Sequence, residues 1–318
     1  MKLSQSISQF IDYISIERRL SPLTAAAYAT DLNSFLNFSE QNQVEDVEDV
    51  SSLLIRQWEM KLLEEEKLSA RSVCRKLAAL RSWNKYLRKQ KIVTTDFFAK
   101  ITAPKIQQQL PMFFRESEME KISDQSLFPK TFEGIRDSLI IELFYETGIR
   151  RAELVGISDN NIDFENNTIK VLGKRNKERI IPIELDLKQN ILYYINVRYN
   201  IVGCDTEKLF VTEKGKPVTP SLVNSIVKKY MSKVSNANRI SPHILRHSFA
   251  THLLNNGADI NAIKELLGHS SLAATQVYTH NTIEKLKKIY KSAHPRAQKR
   301  RFLWIYKLMQ SSLKQILN

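Results

Sequence analysis

The sequence predicts a mainly α protein of two domains, with a small β element in the second. Three observations carry this. Glycine and proline are sparse, 8 and 9 among 318 residues. Apolar residues recur at steps of three and four through most of the chain, the period of helices with one buried face. Strict alternation is confined to a stretch near the middle. With 42% hydrophobic residues the chain can bury sizeable cores, and its length suits two domains.

The elements follow in order. Phe10, Ile11, Tyr13 and Ile14 open an amphipathic helix near the start. In "LSPLTAAAYATDLNSFLNF", Ser21 and Pro22 suit an N-cap and a first helical position, and Leu23, Ala27, Leu32, Phe35 and Leu36 mark the apolar face. The acidic "VEDVEDVSSLLIRQWEMKLLEEEK" holds a third helix, capped at Ser51 or Ser52. The fourth, "SARSVCRKLAALRSWNKYLRKQK", sets Val73, Leu77, Leu80, Trp83 and Leu87 on one face. Arginines and lysines cover the rest, without one acid. Solvated faces usually mix both signs, so a single-sign face points to phosphate contacts; Arg71, Arg75, Arg81 and Lys85 are the candidates.

Periodicity breaks in "KITAPKIQQQLPMFF", where Pro104 and Pro111 bracket a glutamine-rich span. Beyond it, "SEMEKISDQS" and "TFEGIRDSLIIELFYETG" read as helices, the second stopping at Gly148. "NTIKVLGKRNKERIIPIE" alternates as two short strands around a basic turn, a β-hairpin, and "KLFVTEKGKPVT" is expected to add a strand. The remainder reads as helical through "PSLVNSIVKKYMSKV", "PHILRHSFATHLL", "DINAIKELLG" and "SSLAATQVYTH". The expected division is a helical domain over 1–103, a linker over 104–112, a mostly α domain over 113–298 and a basic amphipathic tail over 299–318.

The formal net charge is +14 and the pI near 9.6, an excess that favours a polyanionic partner, nucleic acid or an acidic membrane surface. The N-terminal stretch lacks a signal-peptide apolar block, and no apolar run approaches the ~18–20 residues needed to cross a bilayer. Cys74 and Cys204 fit neither a disulfide framework nor a zinc pattern. A soluble cytoplasmic protein is expected, without a membrane partner.

Transfer chemistry on a phosphodiester needs a nucleophile, donors for the non-bridging oxygens and an acid for the leaving 5′-oxygen. Carboxylate-held metal ions or cationic side chains supply these. Between residues 240 and 280, Asp259 and Glu265 belong to no cluster with metal-ligand spacing, so no metal and no cofactor are expected. Cations are plentiful. The helix "PHILRHSFATHLL" has Ser241 as N-cap, Pro242 at its first position and Gly257 as its stop. At about 100° per residue Leu245, Phe249 and Leu253 form a stripe, with His243, Arg246 and His247 on an adjoining face.

His243 and Arg246, three apart, can grip one phosphate, whereas His252 lies nearer the stripe and reads as structural. His269 follows Gly268, and Tyr278 comes nine residues later. A phenol, with pKa ~10, needs cationic neighbours or a base to act as a nucleophile at neutral pH. Upstream, Arg150 and Arg151 follow Gly148 at a helix-to-helix junction. The hairpin turn offers Lys174, Arg175, Lys177 and Arg179, and a lysine there can protonate a leaving oxygen.

Together these pieces resemble the tyrosine recombinase (phage-integrase-like) family, and most of all its bacterial Xer-type members. The likeness runs from about residue 5 to about 297, through "LSPLTAAAYATDLNSFLNF", "TGIRRAELVGI", "VLGKRNKERIIPI", "PHILRHSFATHLLNNGADINAIKELLGHSS" and "ATQVYTH". It implies an N-terminal helical, SAM-like core-binding domain and a C-terminal catalytic domain with a small β-sheet, forming a C-shaped clamp on duplex DNA. By this resemblance Arg150 is the first catalytic arginine, Lys174 the general acid, and His243 and Arg246 the HxxR pair. His269 is the later histidine and Tyr278 the nucleophile. Arg175 and Lys177 join the DNA-binding candidates.

The implied reaction cleaves and rejoins DNA through a 3′-phosphotyrosyl link, without metal or ATP, for chromosome-dimer resolution or for integration and excision of a mobile element. The implied partners are double-stranded DNA, a homo- or hetero-tetramer on two DNA sites, a second recombinase paralogue and a DNA translocase. "TIEKLKKIYKSAHPRA" is the segment expected to dock on a neighbouring subunit. The chain departs from the Xer pattern in continuing past "AHPRA"; an interaction helix, a membrane-surface helix and an extension with no role stay open for this tail. Two other functions also stay open: a DNA-binding clamp without catalysis, and a relaxing topoisomerase.

Overall fold

The computed structural model describes residues 1–99, 101–106, 112–173, 178–203, 207–268, 287–290 and 292–295. The chain divides into two compact units, Met1–Leu110 and Pro111–Asn318.

The first unit is helical. α1 (Leu3–Asp12) runs on through a wider, π-type turn at Tyr13–Glu17. α2 (Pro22–Gln41) begins where the sequence places it: the Ser21 hydroxyl accepts from the Thr24 amide, and proline occupies a position whose amide would lack a helical partner anyway. Ser51 caps α3 (Ser52–Met60) through the Leu54 amide, and Ser69 caps α4 (Ala70–Lys89) through the Ser72 amide. The predicted α4 face, Val73, Leu77, Leu80, Trp83 and Leu87, is at most 1% exposed and shares a core with Phe35 and Trp58. The α2 face differs from expectation. Ala25, Leu32, Phe35 and Ser39 share one side at about 100° per residue and are buried, which leaves Ala27 and Leu23 (84% exposed) in solvent.

The second unit is organised around α6 (Phe132–Thr147). The Thr131 hydroxyl caps it through the Gly134 amide, and Gly148, with φ 57°, ends it in the left-handed conformation. Burial continues round nearly the whole of α6, which makes it the hub. Three later helices pack against it: α8 (Leu185–Val202), α9 (Pro220–Met231) and α10 (Pro242–Asn255). The shorter α5 (Glu116–Ile122) and α7 (Arg151–Gly156) flank it in sequence. α11 (Ile260–Leu267) is capped by Asp259, which accepts from the Asn261 and Ala262 amides, and stops at Gly268 with φ 64°.

The predicted hairpin is present: β2 (Thr168–Leu172) and β3 (Glu178–Pro182) pair antiparallel, with Ile169 opposite Ile181 and Val171 opposite Arg179. A two-residue strand, β1 (Ile162–Asp163), adds to the free edge of β2, too short to show alternation in sequence. The strand expected in "KLFVTEKGKPVT" is absent. Val211 and Pro217 make a single bridge around a tight turn, and Pro217 has no amide with which to extend a ladder. α8 is the helix the sequence reading missed. It buries Leu187, Ile191 and Tyr194 but leaves Leu185, Leu192 and Tyr199 exposed, so apolar residues surround it and blur the period. Among the described residues no helix is long and apolar enough to cross a membrane.

Candidate active site

Three arginines from different elements meet at the C-terminal end of α11. The first comes from α10, whose stripe is buried as predicted, with Leu245, Phe249 and Leu253 at most 1% exposed. Ser241 holds the N-cap position with its backbone, the carbonyl taking the Ile244 and Leu245 amides, while its hydroxyl makes no cap bond. His243 and His247 are exposed, but Arg246 is not on an open face with them. It is buried, with Nη1 donating to the Gly148 carbonyl and Nη2 to the Leu267 carbonyl at 2.7 Å. Both carbonyls lie at helix ends, where they lack intrahelical donors and the dipole favours a cation. A leash of two such acceptors explains why the arginine turns inward.

Arg150 is the N-cap of α7 and Glu153 stands at the third helical position. The carboxylate takes the Arg150 amide at 2.8 Å and Nη1 at 2.7 Å, and Arg150 Nη2 donates to the Gly268 carbonyl at 2.8 Å. The same carboxylate also receives Arg179 from β3, whose Nη2 donates to Oε2 at 2.8 Å and whose Nη1 donates to Oε1. Arg179 Nε donates to the Leu266 carbonyl at 3.1 Å. The consecutive carbonyls of Leu266, Leu267 and Gly268 therefore each go to a different guanidinium.

The electrostatics follow from this crowding. Burial would raise the Glu153 carboxyl, but hydrogen bonds and charge from Arg179, then Arg150, hold it below its ordinary value. Burial together with Arg150 and Arg179 brings Arg246 down to about 9, still protonated at neutral pH. Three guanidiniums against one carboxylate leave a surplus of positive charge, and Arg150, with a side chain 31% exposed, presents it to solvent. Such a preorganised cluster is suited to an oxyanion of a phosphate ester. His243 sits one turn before Arg246. Desolvation, then the charges of Arg151 and Arg246, push its pKa below 6.5.

The fold thus brings Arg150 and Arg246 together and places His243 one turn from Arg246. Lys174, Arg175, Lys177, His269 and Tyr278 lie outside the described residues, as does the 299–318 tail. His252 is structural, as read: it is buried and its Nδ1 is hydrogen-bonded to the Tyr145 hydroxyl at 2.9 Å. The described part of "TIEKLKKIYKSAHPRA" packs on its own chain. Tyr290 and Ala293 join Phe249 and Leu253 in one apolar cluster, and His294 Nε2 donates to the Tyr145 carbonyl at 3.2 Å. Sequence reasoning missed Glu153, although its position three residues after an N-cap is a capping-box spacing. It placed Arg179 in a basic turn; the structure buries it in β3.

On α4, Arg71, Arg75, Arg81 and Lys85 are exposed. The face is less single-signed than its sequence. Asp31 of α2, itself 2% exposed, pairs with Arg75 and lies 3.8 Å from Lys76, and Asp96 pairs with Arg88 at 3.0 Å. The Arg81 guanidinium lies 4.9 Å over the Phe98 ring. These acids come from other segments, so the α4 sequence alone does not show them.

The phage integrase family model matches residues 112–285, and the phage integrase N-terminal SAM-like domain matches residues 7–91. The chain belongs to the phage integrase family. This integrase-family chain is 38% identical over 299 residues to the tyrosine recombinase XerC of Anoxybacillus flavithermus, covering 92% of this chain and 98% of the relative. It is 35% identical over 298 residues to the XerC of Leptospira interrogans serovar Lai, covering 93% and 95%. The fold is similar to that of the XerH recombinase bound to its difH substrate, with a TM-score of 0.67 at 20% identity over 92% of this chain and 82% of that one. It is similar also to the Tn1549 transposon integrase in complex with transposon right end DNA, at 0.68 and 20% over 94% and 97%. As a tyrosine recombinase the integrase-family chain is an enzyme of site-specific recombination that cleaves and rejoins DNA.

Proposed function

We propose that this chain cuts one strand of a duplex at a specific site through Tyr278 and passes it to a partner duplex. The observation that carries the site assignment is the convergence of Arg150, Arg246 and Arg179 on one helix end, within the segment that matches the family model. The Tyr278 phenol oxygen attacks phosphorus, the bond to the 5′-oxygen breaks, and the protein is left on a 3′-phosphate. Arg150, Arg246 and His269 neutralise the non-bridging oxygens. His243 takes the phenol proton, and Lys174 gives one to the leaving oxygen. Attack by a partner 5′-hydroxyl reverses the steps, and the energy of the phosphodiester is kept throughout.

Duplex DNA is held by phosphate contacts from Arg71, Arg75, Arg81 and Lys85 of α4 and from Arg175 and Lys177 of the hairpin turn. The working assembly is a tetramer on two sites, made of this chain alone or with a paralogue and served by a DNA translocase. It acts in the cytoplasm, in chromosome-dimer resolution or in integration and excision. The similarity to XerC recombinases and to fold neighbours whose structures hold DNA supports this reading.

The deciding experiment presents nicked duplexes carrying candidate sites to the full chain and to Tyr278→Phe, with products resolved on denaturing gels. A protein adduct on the 3′ side, absent from the variant, is the expected result. The same adduct from Tyr278→Phe removes this tyrosine from the role; tight binding by both without an adduct favours a non-catalytic clamp. The pH profile tests His243. Cleavage should fall as the pH drops through a value below 6.5, where the ring takes up a proton and can no longer accept one. Arg151→Gln removes a cation that disfavours the imidazolium, so this acid limb should move upward. A limb that stays in place separates His243 from the proton transfer.

A further inference from the structure

Glu153 poses an electrostatic problem. A carboxylate 2.7 Å from the Arg150 guanidinium cancels the charge that Arg150 would present to a phosphate. We propose that Arg179 is a positioning residue that absorbs the charge of Glu153, leaving the positive charge of Arg150 free for the scissile phosphate. This inference rests on the recombinase reading of the site.

The geometry supports a division of labour. Arg179 is 4% exposed and Glu153 6%, so Arg179 faces the carboxylate from inside the protein while the partly exposed Arg150 faces it from outside. Arg179 engages both carboxylate oxygens with its fork, whereas the Arg150 guanidinium engages only Oε1. The third nitrogen of Arg179 is tied to the Leu266 carbonyl, one residue before the carbonyl that holds Arg246. A Cβ built at Gly268 would approach Arg179 Cδ at 2.9 Å, so the side chain fills the corner that a larger residue would need. Without Arg179, one carboxylate would oppose two guanidiniums instead of three, and the net charge of the cluster would halve. Removing Arg179 and Glu153 together would restore that net charge.

The last point defines a test that a merely structural role would not pass. Arg179→Met, Glu153→Gln and the double variant are made in the full chain, and adduct formation on a nicked duplex is followed in single turnover. Thermal melting and DNA mobility shift are recorded alongside. Arg179→Met should still bind DNA yet cleave on the order of ten- to a hundredfold more slowly. The double variant should recover most of that loss. On a duplex with a neutral methylphosphonate at the cleaved position, the deficit of Arg179→Met should shrink, because the substrate no longer demands the missing charge. Equal losses in the single and double variants, with no relief on the neutral substrate, would overturn the proposal. Arg179→Lys decides the matter should Arg179→Met fail to fold: retained cleavage supports a charge role, and a loss on the order of a hundredfold in a folded protein overturns it. A wild-type chain that forms no Tyr278-dependent adduct overturns the recombinase reading itself. Wild type and Arg179→Met cleaving alike overturn this inference alone.

Discussion

Arg246→Lys is expected to lower the cleavage rate by on the order of a thousandfold and to weaken the second unit as well. The two effects have one origin. Arg246 spans the Gly148 carbonyl at the end of α6 and the Leu267 carbonyl at the end of α11, and a planar fork reaches both from one side chain. A lysine ammonium is a compact point charge on a flexible stem, so it satisfies one helix end and leaves the other carbonyl unpaired. An unpaired buried carbonyl costs about 1–3 kcal/mol, which for a unit of this size lowers Tm by roughly 2–12 °C. Single-turnover adduct formation and calorimetric melting measure the two effects on the same preparations. Lysine cleaving within about tenfold of arginine would show that charge suffices and that the fork is not needed.

How far these features were legible depends on the range of the interactions that create them. Caps are local: Ser21 and Ser51 take amides as the sequence reading expects, and Ser69 and Asp259 cap their helices by equally short-range bonds that it does not name. The α10 stripe and the β2–β3 hairpin are equally local, since each needs only one period to be read. α8 was hidden because its exposed side carries Leu185, Leu192 and Tyr199, which erases the contrast that a period requires. The site was half legible. Arg150, His243 and Arg246 stand out by residue type and spacing, whereas the carbonyls that hold Arg150 and Arg246 lie 118, 98 and 21 residues away, which no pattern in the sequence records. Asp31 is the same lesson on α4. A face without one acid in its own sequence acquires one from α2, because a buried carboxylate requires cations and takes Arg75 and Lys76 as its neighbours.

The corner where α6 stops carries the second large expectation. Gly148 has φ 57°, a region where an L side chain costs roughly 1–2 kcal/mol. A Cβ there would also lie 2.8 Å from Leu267 Cδ2 and closer still to the Phe249 ring, and neither can move without disturbing the buried cluster that joins α10 to α11. Overpacking of that kind adds about 1–3 kcal/mol, so Gly148→Val should lose about 2–5 kcal/mol, a large share of the ~5–15 kcal/mol that holds a typical domain. The consequence reaches the site directly. The carbonyl of Gly148 is one of the two that hold Arg246, and Leu267, whose side chain would be displaced, supplies the other. Gly148→Val is therefore expected to melt well below the wild type and, in the folded fraction, to cleave no better than Arg246→Lys. Denaturant unfolding measures the first effect, and adduct formation at low temperature the second. A variant as stable as the wild type would mean that α6 can end without the left-handed turn, and the fixed placement of Arg246 would then need another cause.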